Sequence, residues 1–416
     1  MFSAAVTRQN AHRACGACGA ESKTVIHQQN FVVPSEYPLP SHYDVVVCQR
    51  CGFVYADPSA TQIDYDHFYS DWSKYDDSAT ATGSGVSIYD AERLTITAAD
   101  IARSLPSQAA TILDAGCATG GLLTALREQG FNAVSGLDPS RRCAAACRER
   151  GFQAYVGSIA AAPANMPKFD CIVLSHVLEH VYDIPAFFGA ARNLLAPGGF
   201  LYLETPDATR YADFLYAPFQ EFNTEHINHF SSRSLQNAAR RFGFECVTLE
   251  QKTLQTAAET RYPAVFGVFR EGGASISGPA YTRDTVLPAR IATYIEESSV
   301  QMRAIDRNLA SQLAGHNRAI LWGAGQLAMK VLALPCLAAV ELAAVVDNNP
   351  TLLGKNLGGA RVIAPGDLSF KHAAMPIVIS TLLHNREIEA QIRGMDLRNP
   401  VFTLLPNSNI REVMVS

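Results

Sequence analysis

"ATILDAGCATGGLLTALREQGF", residues 110–131, begins with a short apolar run, turns through glycines and continues with apolar residues at helical spacing. That order specifies a buried strand, a tight turn and an amphipathic helix. The next apolar run, "AVSGLDPS" at 133–140, ends in Asp138, 22 positions after Gly116. Strand, glycine turn, helix, strand and terminal acid make a nucleotide-binding βαβ unit: the turn admits a ligand to the backbone, and the acid accepts from ribose hydroxyls. The loop reads DxGxxTG rather than GxGxxG. A dinucleotide loop is built for a pyrophosphate at the helix N-terminus, whereas a carboxylate at Asp114 repels an anion and attracts an ammonium.

Asp114-Ala-Gly116-Cys117-Ala118-Thr119-Gly120 resembles the first motif of the class I S-adenosylmethionine-dependent methyltransferases. The resemblance implies that this loop packs against the amino-acid part of the cofactor, and that Asp138, followed by Pro139, holds the adenosine ribose. Later segments agree in order. "AYVGSI" is the third strand, with Gly157 and Ser158 near the adenine, although the family often carries an acid at the latter position. "FDCIVLSHVLEHV" is the fourth strand and active-site loop, bringing Ser175 and His176 to the cofactor; "IPAFFGAARNLLAPGG" is a helix and turn, and "FLYLETPD" the fifth strand.

Upstream lie two CxxC pairs, Cys15 with Cys18 and Cys48 with Cys51, separated by strand-like text. Each CxxC turn aims two sulfurs at one point, and two turns complete a closed tetrahedral zinc site. A redox CxxC accounts for one pair but not for the second. Such a site leaves no position for substrate, so its role is structural. The connector that follows, around Tyr69, Trp72 and Tyr75 and then rich in Ser, Thr and Gly, reads as a lid or as aromatic packing for the head.

A four-cysteine ribbon ahead of this fold, with a third domain behind it, resembles the C-methyltransferases that act on nucleotide-linked 4-ketosugars. In that family a histidine after the fourth strand and a Tyr-x-Glu-His cluster after the fifth line the substrate site. The matching positions here are His180 and Asn223-Thr-Glu225-His226. The resemblance implies proton abstraction beside a ketone and stabilisation of an enolate, a task for a base titrating near neutrality and a donor at the developing oxyanion. His180 and His226 are the candidates, with Glu225 orienting an imidazole or binding a hydroxyl. Asn223 replaces the tyrosine and can donate to an oxyanion, while Tyr75 or Tyr69 could reach over the site. O- or N-methylation of another small metabolite is the alternative. His176 with His180, or Glu225, His226 and His229, are the possible metal readings, but neither follows HExxH.

The C-terminal third repeats the pattern. "ATYIEESSVQMRAIDRNLASQLAGH" is a charged amphipathic helix; "RAILWGAGQLAMKVLAL" gives strand, Gly323-x-Gly325-x-x-Ala328 turn and helix, and the next strand ends in Asp347. That fingerprint invites an NAD-dependent or bifunctional enzyme, yet the remaining chain is too short for a separate catalytic domain. A substrate-binding role is expected, with His384 and Asn385 facing a cleft.

The expected fold is therefore α/β: a zinc ribbon at 1–62, a connector or lid at 63–90, a central Rossmann-like methyltransferase domain at 91–250, a helical linker at 251–310 and a second Rossmann-like domain at 311–416. Composition agrees with such a chain. It has 416 residues, 48% hydrophobic and 18% charged, and a net charge of −5 that offers no broad field for nucleic acid. No apolar run is long enough to span a bilayer and the N-terminal text lacks an apolar signal region. A cytoplasmic location follows, in which the ten cysteines are thiols and metal ligands rather than disulfides.

Overall fold

A computed structural model describes residues 13–72, 83–258, 260–272, 281–368 and 374–406. The chain divides into two compact units. The first holds the chain up to His27 with Asp44–Phe214 and Glu225–Ile291; the second holds Gln28–Tyr43, Leu215–Thr224 and the chain from Ala292 on.

The chain begins with β1 (Lys23–Asn30), β2 (His42–Cys48) and β3 (Val54–Pro58), followed by helices α1 (Gln62–Asp71) and α2 (Ile88–Ser104). Then β4 (Ile112–Ala115), α3 (Gly121–Glu128), β5 (Val134–Asp138), α4 (Arg141–Glu149) and β6 (Gln153–Val156) alternate as the hydrophobic periods require. β7 (Phe169–Ser175), α5 (Ile184–Leu194) and β8 (Leu195–Pro206) continue the pattern, and β9 (Asn228–His229), α6 (Ser232–Arg241), β10 (Phe244–Gln255) and β11 (Arg261–Glu271) close the unit. Short polar side chains start the helices: Ser140 accepts from the Cys143 amide at α4, and Asp183 accepts from Ala186 at α5.

Two sheets result. The small one runs β1-β2-β3-β9, with β9 antiparallel to β3. The large one runs β10-β11-β8-β7-β4-β5-β6. Strands β4 to β8 are mutually parallel, and β11 inserts antiparallel between β8 and β10. Ile172, Val173 and Leu174 of β7 are at most 1% exposed, as befits a central parallel strand covered on both faces. Leu123 and Leu126 of α3 join Ile112, Phe131, Phe152 and Tyr202 in the core beneath. Each such side chain stabilises the fold by about 1.5–3 kcal/mol. The chain steps from β4 through β5 to β6 on one side and resumes with β7 on the other, so a topological switch point lies at the carboxyl ends of β4 and β7.

Within 251–310, expected as a helical linker, β10 finishes, β11 runs its whole length and α7 (Val286–Gln312) begins. The second unit then contains β12 (Arg318–Trp322), α8 (Gln326–Val331), α9 (Pro335–Ala338), β13 (Glu341–Val346), β14 (Asn356–Leu357), β15 (Ala360–Ile363), β16 (Ile377–Ile379), α10 (Asn385–Gly394) and β17 (Val401–Thr403). Its sheet runs β14-β15-β13-β12-β16-β17, parallel except for the β14/β15 pair. Gly323 turns at φ 107° after β12, and Asp347 accepts from the Ala324 amide at 2.6 Å, so this acid braces its own turn. Residues 215–224 are bonded into the same unit: Tyr43 donates to the Asn223 carbonyl at 2.9 Å, Gln326 to the Thr224 hydroxyl at 2.9 Å and Lys330 to the Phe219 carbonyl at 2.6 Å. The α/β class and the three sheets agree with the sequence reading. Among the described residues no helix is long and apolar enough to cross a membrane.

Candidate active site and metal centre

The glycine-rich turn after β4 is left-handed at Gly116 (φ 85°), Ala118 (φ 45°) and Gly120 (φ 90°). A Cβ at Gly116 would stand 2.5 Å from Val177 Cγ2, so the close approach of the β4 and β7 end loops requires glycine there. Asp138 at the tip of β5 accepts from the Ala118 amide at 2.9 Å and the Ser140 amide at 2.8 Å, tying Pro139 and the turn together. Asp114 is 3% exposed; burial, reinforced by the Asp138 charge and opposed by Arg93, raises its pKa to about 7. Cys117 is buried within the turn, and the Thr119 hydroxyl is buried without a hydrogen-bond partner among the described residues. Two adjacent acids and an orphaned hydroxyl around a glycine turn fit a cationic ligand bearing ribose hydroxyls, which is the chemistry of S-adenosylmethionine.

A clasp that sequence reasoning missed lies beside the turn. Asp90, in the first turn of α2, accepts from the amides of Gly83 at 2.9 Å and Gly85 at 2.8 Å, and the Gly83 carbonyl accepts from Gly121 at 3.1 Å. "GSGVS" before an acid in a helix start was the available signal. Ser158 precedes a single helical turn, and the neighbouring Gly157 amide donates to the Asp138 carbonyl at 2.9 Å.

At the end of β7, His176 adopts φ 57°, unusual for a residue with a side chain. Its Nδ1 lies 3.4 Å from Glu179 and its Nε2 3.2 Å from Glu204. Glu204 is fully buried and was not singled out from the sequence. It receives the Tyr202 hydroxyl at 2.7 Å, sits beside Ser175 at 3.3 Å and pairs with Lys252 at 2.6 Å, which also reaches Asp100 at 2.8 Å. Burial alone would raise the Glu204 pKa, but Lys252 and then His176 hold it well below the usual carboxylate range. On His176 the same contacts with Glu179 and Glu204 outweigh burial and raise the imidazole pKa.

His180, 9% exposed, places Nδ1 3.0 Å from the Glu225 carbonyl. A carbonyl only accepts, so Nδ1 carries the proton and Nε2 keeps its lone pair. Its ring meets His226 with centroids 4.7 Å apart and Tyr69 at 5.7 Å. Burial, and then His226, pull the His180 pKa below its ordinary value. Glu179, His180 and His226 each present one donor atom within 4.8 Å of the others. That group takes one residue from each metal reading of the sequence and adds Glu179. His229 instead lies fully buried in β9, paired with Val54. Glu225 and His226 belong to the first unit and Asn223 to the second. Tyr75 lies outside the described residues.

In the N-terminal sheet the four sulfurs of Cys15, Cys18, Cys48 and Cys51 lie within 4.8 Å of one another, with Cys15 to Cys51 at 3.6 Å and Cys18 to Cys48 at 3.5 Å. A zinc tetrahedron with bonds of ~2.3 Å has edges of ~3.8 Å, so the donor set fits a metal ion. Gly19 (φ 76°) and Gly52 (φ 81°) let the chain turn behind each pair. A separate cavity of about 330 Å³, bordered by Thr111, Asn132 and Lys168, lies at the amino ends of the large sheet, away from these groups.

Residues 89–249 match the family described as "Methyltransferase domain". The chain is 35% identical over 116 residues to a ubiquinone biosynthesis O-methyltransferase of Methylobacterium nodulans, covering 26% of this chain and 46% of that protein. It is 34% identical over 125 residues to the enzyme of the same description from Xylella fastidiosa, covering 28% and 49%. The chain thus spans about half the length of the curated relatives it matches. A solved S-adenosylmethionine-dependent methyltransferase from Methanosarcina mazei aligns with a TM-score of 0.36 at 16% identity, over 41% of this chain and 97% of that one. Residues 89–249 are a class I S-adenosylmethionine-dependent methyltransferase domain.

Proposed function

We propose that the protein moves a methyl group from S-adenosylmethionine to a small oxygen-bearing acceptor, with carbon beside the ketone of a nucleotide-linked 4-ketosugar as the favoured target. The observation that carries this reading is the meeting of His180 and His226 beyond the β7 end, on the side of the sheet where the Asp114–Gly120 turn stands. When bound, the cofactor supplies an electrophilic sulfonium methyl. Asp114 and Asp138 hold its ammonium and ribose, with the 116–120 turn, Ser158, Ser175 and His176 as further contacts. The acceptor's α-proton passes to one imidazole, and the electron pair it leaves forms the new bond to the methyl carbon while the old carbon–sulfur pair stays on sulfur. The other imidazole donates to the developing oxyanion, and Glu225 orients the pair. The four-cysteine site holds zinc and positions the N-terminal sheet.

A second reading, O-methylation, is favoured by the name of the curated relatives. Incubation with a panel of nucleotide 4-ketosugars deuterated at the carbon beside the ketone separates the two: C-transfer gives a one-methyl mass gain with loss of one deuterium to solvent, while O-transfer gives the gain with the deuterium retained. A silent sugar panel with methylated hydroxy-metabolites overturns the sugar assignment.

A further inference from the structure

Glu179 is 1% exposed and its Oε2 has no hydrogen-bond partner among the described residues. A buried carboxylate oxygen without a partner is costly, because nothing replaces the water it has lost. Its other oxygen lies 3.4 Å from His176 Nδ1 and 4.0 Å from His180 Nε2. His180 Nδ1–H donates to the Glu225 carbonyl, leaving the Nε2 lone pair on the Glu179 side. This is the outer-shell arrangement that orients a metal-binding imidazole, and His176 plays the corresponding part for the carboxylate. The His226 donor completes the group within 4.8 Å.

We propose that Glu179, His180 and His226 bind a divalent cation distinct from the one at the four cysteines. Two imidazoles and one carboxylate suit a borderline ion such as iron(II), cobalt(II) or zinc rather than magnesium or calcium. A cation with bonds of ~2.1 Å needs donors ~3–4 Å apart, so side-chain shifts of under about 1 Å close the site. Three protein ligands leave coordination positions for water or for an acceptor oxygen. The inference rests on the methyl-transfer reading and changes only how the site carries it out: with the cation bound, the imidazoles serve as its ligands in place of base and donor, the cation holds the acceptor's oxygen and takes up its developing charge, and the α-proton passes to cation-bound water.

The test uses the full-length chain with its cysteine-bound metal in place, titrated with cobalt(II) while absorption and metal content are recorded. The wild type takes up one further equivalent, with ligand-field bands and no added thiolate charge transfer. Glu179→Gln weakens that uptake at least tenfold and His226→Ala abolishes it, while calorimetric S-adenosylmethionine binding, which reports folding, is retained. Failure of the wild type to take a further equivalent at millimolar cobalt, or unchanged uptake by both variants, overturns the cation site. Cofactor binding without further cobalt uptake leaves methyl transfer standing and removes this inference; the opposite pairing sustains the cation site and removes methyl transfer.

Discussion

The imidazole of His180 stands edge-on to that of His226, with ring planes at 68° and centroids 4.7 Å apart, although one follows the fourth parallel strand and the other precedes β9. This pairing brings two titratable groups to one point. Replacing either with glutamine keeps much of the volume and removes the imidazole. Turnover should fall about 10²–10⁴-fold while cofactor affinity stays unchanged. Single-turnover assays alongside calorimetry read both quantities; unaltered turnover in both variants would remove them from the chemistry.

Cofactor affinity should depend on pH through Asp114. Its folded pKa of about 7 exceeds the ordinary carboxylate value of 3.8, so the folded state holds more protons than the unfolded chain between those values, and this group's contribution to stability declines as pH rises across that window. An ammonium ligand needs the carboxylate, so S-adenosylmethionine should bind more tightly as pH rises through about 7 and level off above it. Asp114→Asn should bind weakly with a flat profile. Calorimetry across pH 5 to 9 measures this; a steep rise retained by the variant would assign the dependence elsewhere.

The four-cysteine site should govern stability before it governs chemistry. Cys15→Ser removes one of four sulfurs and should lose the bound metal and lower the melting temperature, because metal binding free energy at such a site is folding free energy. Elemental analysis and calorimetric melting check it. A stable variant with full metal content would contradict a structural role.

Glu204 and Lys252 form a buried pair at 2.6 Å that joins β8 to β10. Removing Lys252 takes away the stronger of the two positive partners of Glu204 and leaves only His176, so Lys252→Met should destabilise the first unit by up to about 3–5 kcal/mol. Lys252→Met with Glu204→Gln should lose less than the sum of the single changes. Denaturant midpoints give each value, and additive losses would show that the two side chains act separately.

Local patterns were legible and long-range partnerships were not. The strand, turn, helix and terminal Asp138 are specified by residues within one short stretch, where glycine freedom and hydrophobic period act directly. The cysteine pairs were readable because two identical spacings converge on one chemical purpose. Glu204 looked like an ordinary polar residue at a strand end, since Lys252 reaches it only after β11 has inserted between their strands. Glu179 was passed over beside His180, for its significance depends on a buried oxygen and on His226, far along the chain. The strands at 244–255 and 261–271 are partly polar and pair antiparallel, so their text competes poorly with the strong helical signal that follows. Asn223 and Glu225 are two positions apart yet belong to different units, a division set by the partners of residues 215–224 in the second unit.

The central claim is methyl transfer to a ketosugar-type acceptor. It is tested most directly by incubating the protein with S-adenosylmethionine carrying a labelled methyl group and a panel of nucleotide 4-ketosugars, then weighing the products. The expected result is a product heavier by one labelled methyl group, in step with the release of S-adenosylhomocysteine, and lost in His226→Gln. Unchanged sugars and unconsumed cofactor, from protein shown by calorimetry to bind the cofactor, would contradict it.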